Sequence, residues 1–520
     1  MPSYLSPGVY VEEVEAGSRP IEGAGTAVAA FVGLAPQGVA NTPTLVTNWS
    51  QYTREFGEFA EGCYLAHAVY AYFLNGGGSC YVVRIGDGPA AAQPAPAPVR
   101  RGGGRGALPA GSRAALGAFQ VAALPGAGEG LTVEVADAGG ESAAEDAFTL
   151  RVKRGDQVEE SFDVSAKRGQ RGYVVTVVRE RSKLIALEES AAQAVARPDN
   201  QEVAVPAPAQ PPADAAGPAT PADYLGSADD RTGLGGLEAI DEITMVAIPD
   251  LMGAYEQGAL DADQVKAVQL ALIAHCELMG NRVAIIDPLP DLTPQQVKEW
   301  RTVGAGYDSK YAALYYPWIK VADPASGRLR FVPPSGAMAG VWARNDESRG
   351  VHKAPANEVV RGAVDLAVNL TKGEHDQLNP IGVNCIRAFP GRGIRVWGAR
   401  TLSSDPSWRY LNVRRLFNYL EESILIGTQW VVFEPNDDAL WARIRRTISA
   451  FLVNEWRKGA LFGLTPEEAF YVKCDRETNP AEGIDAGQVV CEVGIAPVKP
   501  AEFVVFRLSQ FSGGTSLVNE

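Results

Sequence analysis

Two stretches of this chain cannot bury a core, and they divide everything else. Residues 89–115 and 196–222 consist largely of Ala, Pro and Gly, with several Arg in the first, and show almost no apolar periodicity. Such composition reads as linker. Between them lie strand-like runs at 131–135, 148–152, 158–164 and 173–178. Phe148, Leu150 and Val152 alternate with polar residues, as do Phe162 and Val164, and Lys153-Arg154-Gly155-Asp156 supplies a turn. Alternation of period two marks half-buried strands. Residues 89–222 are therefore expected to form a small β-rich domain inserted through two flexible hinges.

The flanks read differently. Residues 26–34 and 80–85 are apolar strands, with helices expected at 49–56 and 65–74 and a stop at Gly76-Gly77-Gly78. After the second linker, strands are expected at 243–248, 283–286 and 312–319, alternating with helices at 263–278 and 294–303. This β-α-β alternation predicts a sheet covered by helices, and the strands before residue 89 are expected to join it. A last unit follows, with a helix at 411–426, a strand at 429–433 and a long helix at 436–458, capped by Asn436 with Asp437 and Asp438 in its first turn. The fold class is α/β (α+β mixed) and multidomain. The expected division is an N-terminal arm 1–19, a middle domain 20–88 plus 223–345, the insertion 89–222, a C-terminal core 346–500 and a C-terminal arm 501–520.

Charge and composition exclude several classes. In 520 residues there are 47 basic and 62 acidic side chains, for a net charge of -15. An overall basic footprint for nucleic acid or for an anionic membrane surface is absent. No run of about 18 apolar residues occurs, so no membrane-spanning helix is expected, and MPSYLSPGVYVEEVEAG lacks the basic and apolar regions of a secretory signal. The six cysteines are widely spaced without C-x-x-C and read as reduced thiols of a cytoplasmic protein.

No constellation reads as an active site. His67, His275, His352 and His375 fall in no H-E-x-x-H motif, and no histidine pairs with a cysteine at zinc spacing. G-x-S-x-G is absent. Gly233-Leu234-Gly235-Gly236 lacks the G-K-[ST] ending of a phosphate loop and reads as a helix-entry turn. Glu421-Glu422 and Glu467-Glu468 are adjacent on helices, so their carboxylates do not face each other. Arg154-Gly155-Asp156 matches an adhesion tripeptide but equally suits a hairpin turn. Neither a catalytic residue nor a cofactor or metal is expected.

Two features stand out. The first is a strand-forming run near each terminus, Val9-Tyr10-Val11 and Glu502 to Leu508. A strand outside a domain leaves its amides and carbonyls unpaired unless it joins a sheet edge. It either folds back on its own subunit or augments a neighbour's sheet, and two such arms would link each subunit to others in an open polymer. The second is the helix 436–458. Leu440, Trp441, Ile444, Ile448, Phe451 and Leu452 share one face, and Arg443, Arg446, Arg457 and Lys458 lie on the other. That basic stripe is either a solvated face or a dock for an acidic partner. Glu455 falls among the apolar positions.

Several segments also carry a family resemblance. Ser6-Pro7-Gly8-Val9-Tyr10-Val11-Glu12-Glu13 resembles the opening of contractile tail sheath proteins. Denser matches are VPPSGAMAGVWAR (332–344), RGVHKAPAN (349–357), LNPIGVNCIRAFPGRGIRVWGARTLSSDPSWRYLNVRRLFNYLEESI (378–424), GTQWVVFEPN (427–436) and PVKPAEFVVFRLSQ (497–510). These are similar to sheath subunits of phage tails and of phage-tail-like contractile injection systems, over about 1–88 and 225–520. The resemblance implies a non-enzymatic subunit that polymerises as stacked hexameric rings around an inner tube and contracts to drive the tube through a target envelope. A phage-tail-like injection system is favoured over a true bacteriophage tail. A monomeric adhesin using 89–222, or an α/β enzyme, would be the readings of another class. Carried over by position, Val9, Tyr10, Val11, Phe503, Val504, Val505 and Phe506 would exchange strands with neighbouring subunits. Arg443, Arg446, Arg457 and Lys458 would contact the inner tube. The implied partners are further copies of the chain, the tube protein, and baseplate and terminal cap proteins, without nucleic acid or direct membrane insertion. Assembly would occur in the bacterial cytoplasm, and the finished particle could be released. Gly17, Gly23 and Gly25 are candidate hinges or simple loop glycines.

Overall fold

A computed structural model describes residues 20–60, 62–86, 114–123, 131–138, 146–154, 157–167, 172–182, 184–189, 197–205, 219–324 and 327–507. The N-terminal run Val9-Tyr10-Val11, Gly17, and Gly155 with Asp156 lie outside these residues. The chain forms two compact units, one of residues 1–88 with 216–520 and one of residues 89–215.

The first unit is organised by an eight-stranded sheet. Its strands are β1 (Ala29–Gly33), β2 (Thr44–Val46), β3 (Cys80–Arg84), β4 (Met245–Ala247), β5 (Val283–Ile286), β6 (Ala312–Tyr316), β7 (Val383–Phe389) and β8 (Gly393–Val396). The order is β8-β7-β6-β5-β4-β1-β3-β2. The six inner strands run parallel, and β2 and β8 close the edges antiparallel. β1 pairs with β3 on one side and β4 on the other, so strands from both sides of the insertion share one sheet. β1, β5 and β6 are buried along their whole length, as parallel strands covered by helices on both faces must be. Helices Leu65–Asn75, Asp250–Glu256, Ala262–Met279 and Ser335–Arg349 pack on the sheet. The third of these starts at a reciprocal Asp261–Gln264 capping box and ends at Gly280 with φ 71°. Leu65–Asn75 and Ser335–Arg349 approach closely because Gly336 faces the Ala68 backbone and Gly340 the Tyr72 carbonyl, where a Cβ would not fit.

A second hydrophobic cluster forms toward the C-terminus. Leu416 and Leu420 of helix Leu411–Gly427 meet Leu440, Trp441, Ile444, Ile448, Phe451 and Leu452 of helix Asp438–Arg457. A two-stranded hairpin, Phe470–Lys473 with Glu492–Ile495, lies against the latter helix. The other unit carries its own core, built on antiparallel sheets of four and three strands and helix Val174–Arg181. Leu131, Val133 and Val135 of one strand and Phe148, Leu150 and Val152 of the next are buried in it.

Three sequence expectations are corrected. Residues 173–178 were expected as a strand but form the start of helix Val174–Arg181, because Val174, Val177 and Val178 make one buried face at helical spacing. Residues 429–433 form a 3₁₀ turn, Gln429–Val431, followed by Phe433 at φ 67°. The long helix spans Asp438–Arg457, and its cap is Asp437, which accepts from the Leu440 amide at 2.8 Å. Asn436 is instead held by Trp441 Nε1 and the Gln488 carbonyl. The sheet runs on past residue 346 through β7 and β8, and residues 502–507 join no strand among the described residues.

Candidate functional site

Helix Leu411–Gly427 is the anchor for the roots of both arms. On the N-terminal side, the Ala24 amide donates to Ser423 Oγ at 2.9 Å, and Arg415 donates to the Thr26 carbonyl at 2.9 Å. Ile21 packs against Gly427. Arg415 is itself held by Asp346 through a bidentate pair of 2.9 and 2.6 Å, with both side chains 3% exposed. Its guanidinium lies 4.9 Å from the Trp342 ring centre. A buried charge pair of this kind is stable only when geometry and further hydrogen bonds offset desolvation, and here both conditions are met.

On the C-terminal side, Asn412 donates to the Val498 carbonyl at 3.0 Å. Glu502 then clamps the chain. It accepts from Arg400 at 2.9 and 2.7 Å, from Asn379 at 2.7 Å and from Tyr410 at 3.2 Å. Burial by itself would raise the Glu502 carboxyl, but the bonds from Arg400 and Asn379 outweigh it and hold the group below the usual range. A groove of about 610 Å³ opens beside this clamp, lined by His375, Arg387, Trp397, Arg400, Phe503 and Val504 among others. One residue past the clamp the environment reverses: Phe503, Val504, Val505 and Phe506 are 75, 69, 76 and 84% exposed. Four consecutive apolar residues thus leave a firmly held glutamate without joining any sheet of the described chain.

The basic helix face divides in two. Arg443 pairs with Glu434 and stacks 4.8 Å from the Trp430 ring centre. Lys458 pairs with Glu455 at 2.7 Å. Arg446 and Arg457 are exposed on the same helix, with no partner among the described residues. Glu455 is buried, and its place among apolar residues is explained by Lys458 and by the Tyr419 hydroxyl, which donates to it at 3.1 Å. Beside the helix start, Val432 and Phe433 face solvent. Of the candidate hinge glycines, Gly23 lies tight against the Tyr419 ring and Gly25 is free of neighbours.

The anchors Asp346, Asn379, Arg400, Arg415 and Glu502 were not singled out in the sequence. Only the last left a signal there, a lone carboxylate immediately before FVVF. The other readings concern packing. Burial, then the Arg282 charge, lowers His275 to about 4, so it is a neutral core histidine. Gly233 and Gly235 pack against the backbone of the turn at 226–232.

The model of the phage tail sheath protein central domain matches residues 217–402, and that of the phage tail sheath C-terminal domain matches 403–511. The tail sheath protein of Vibrio phage KVP40 is 31% identical over 189 residues, 36% of this chain and 27% of that protein. That of Salmonella phage ViI is 28% identical over 241 residues, 44% of this chain and 37% of the relative. The chain thus spans about a quarter to two fifths of these curated relatives. Among solved structures, the anti-feeding prophage helical sheath in its contracted state aligns with TM-score 0.59 and 25% identity, over 97% of this chain and 99% of the other. The sheath complex of an extracellular contractile injection system, PVC, also contracted, aligns with TM-score 0.58 and 23% identity over 98 and 99%. With its central and C-terminal domains both matched in order, this chain belongs to the phage tail sheath protein family.

Proposed function

We propose that the chain is the sheath subunit of a phage-tail-like contractile injection system, stacking as hexameric rings around an inner tube and contracting to drive that tube through a target envelope. The observation that carries this is the exposed apolar run Phe503–Phe506, anchored at Glu502 and unpaired among the described residues. Such a run is a donor strand for a neighbour's sheet edge. Val9, Tyr10 and Val11 supply the second donor, and two donors per subunit generate an open helical polymer. Similarity over nearly the full length to two contracted injection-system sheaths supports the same reading. Arg446 and Arg457, without a partner among the described residues, are the first residues to touch the tube, with Arg443 and Lys458 beside them. Baseplate and terminal cap proteins bound the sleeve, which assembles in the bacterial cytoplasm and is released as part of a particle. The role is mechanical: rigid bodies move while the arms keep rings tethered, and small differences per subunit add along the sleeve. The curated relatives favour a second reading, a true phage tail sheath.

Negative-stain electron microscopy of the purified chain tests the proposal. Hollow striated tubes are expected, formed by the chain alone or with the cognate tube protein. Deleting 1–19 or 501–520 is expected to leave folded subunits that do not polymerise. Normal filaments from both truncations would rule out strand donation.

A further inference from the structure

All six cysteines are free thiols, but two of them face each other. In the C-terminal hairpin, Phe470 pairs with Ile495 and the register runs to Lys473 opposite Glu492. One step further places Cys474 opposite Cys491. The Ala496 amide donates to the Ala469 carbonyl at 2.8 Å, and counting the antiparallel alternation from there makes 474/491 a non-hydrogen-bonded pair. Such pairs bring Cα atoms to about 4.5 Å, inside the range a disulfide spans without backbone movement. Each thiol lies close enough to shift the titration of the other. Cys474 is fully buried and Cys491 is half-buried, so a small reagent reaches the pair through Cys491. The surroundings hold this geometry. Arg445 donates to the Cys474 carbonyl, and the Asn479 side chain bonds the Val490 amide and carbonyl at 2.6 and 3.0 Å and reaches Cys474 Sγ at 3.8 Å.

We infer that Cys474 and Cys491 are a redox modification site, closed by a small-molecule disulfide into an intrachain cross-link that staples the hairpin and residues 475–490. The Cys491 thiolate attacks one sulfur of oxidised glutathione and expels a glutathione thiolate. Cys474 then attacks the Cys491 sulfur of the mixed disulfide and expels the second. Two protein thiols are oxidised, one disulfide is reduced, and both protons end on the two glutathiones released. Closure constrains the unfolded chain and so raises thermal stability. Burial, then the neighbouring Cys474, pushes the Cys491 thiol up to about 12, so thiolate is scarce at neutral pH and closure accelerates as pH rises.

The test treats the folded full-length chain with oxidised glutathione at mildly alkaline pH, then alkylates it and maps its peptides. Two fewer alkylated cysteines are expected, with a Cys474–Cys491 cross-linked peptide, a raised Tm, and reversal by dithiothreitol. Cys491→Ser removes both the cross-link and the oxidant-dependent Tm shift, whereas Cys63→Ser keeps them. Alkylation of both Cys474 and Cys491 after oxidation and unfolding, or a cross-link that forms only between chains, overturns the inference. The wild-type peptide map decides even if the serine variant folds poorly.

Discussion

At Glu502, the carboxyl sits below its ordinary range because Arg400 and Asn379 hydrogen-bond its charged form more strongly than burial penalises it. A carboxylate lowered in the folded state contributes stability that is complete above its unfolded value of about 4.3. The contribution is lost as pH falls below that through the folded value. Protection against hydrogen exchange across 498–507, taken relative to the intrinsic rate at each pH, should therefore fall on acidification below about pH 4, and Glu502→Gln should show the lower protection already at neutral pH. The Arg415–Asp346 pair is more deeply buried. Arg415→Ala, which strands a buried charge, is expected to cost about 3–5 kcal/mol in urea unfolding. The joint replacement Arg415→Met with Asp346→Leu should cost clearly less, and equal losses would show that packing rather than uncompensated charge sets the penalty. Neither pair was legible in the sequence, because Arg415 and Asp346 are separated by 69 positions, and Arg400 and Glu502 by 102.

Helices and strands were read correctly where one face had a single period. Trp49–Phe56 and Ala262–Met279 appear close to their expected spans because capping residues and apolar spacing agree there, and Leu411–Gly427 does so on its apolar spacing, without a side-chain cap. The failures have local causes. A valine-rich run at 173–178 carries strand propensity, but its burial on a 3.6-residue period selects the helix. At 429–433 the run of apolar residues reads as a strand, yet Val432 and Phe433 point to solvent after a 3₁₀ turn. The helix Asp438–Arg457 presents two exposed arginines, Arg446 and Arg457, without a partner among the described residues. Reversing both to Glu should leave the unfolding midpoint nearly unchanged, within about 0.5 kcal/mol, while weakening co-sedimentation with the tube protein at low salt. Unchanged tube binding would move the contact to another surface.

Across the whole molecule, the unit 89–215 has its own core, with Phe119, Leu131, Val133, Phe148, Leu150, Val152 and Val178 buried within it. A fragment of those residues should unfold cooperatively, which calorimetry will show as a single transition, and absence of a transition would mean the core depends on the rest of the chain. The family models match residues 217–402 and 403–511, so this unit and residues 1–88 both lie outside the matched ranges. The larger unit runs from the sheet to the C-terminal cluster through helix Leu411–Gly427, whose Leu411 lies in one core and Leu416 in the other. That helix therefore ties the arm roots to both cores.

Period, caps and composition act between neighbours in the chain, and for that reason the sequence by itself determined the main strands, the long helices and the low-complexity stretches. Its longest motifs also carried the family. The tertiary structure alone decided how β1 lies between β3 and β4, and that residues 502–507 find no sheet among the described residues. Each of these depends on contacts between residues far apart in the chain, whose geometry is set by the packing of whole elements and leaves no periodic trace in sequence.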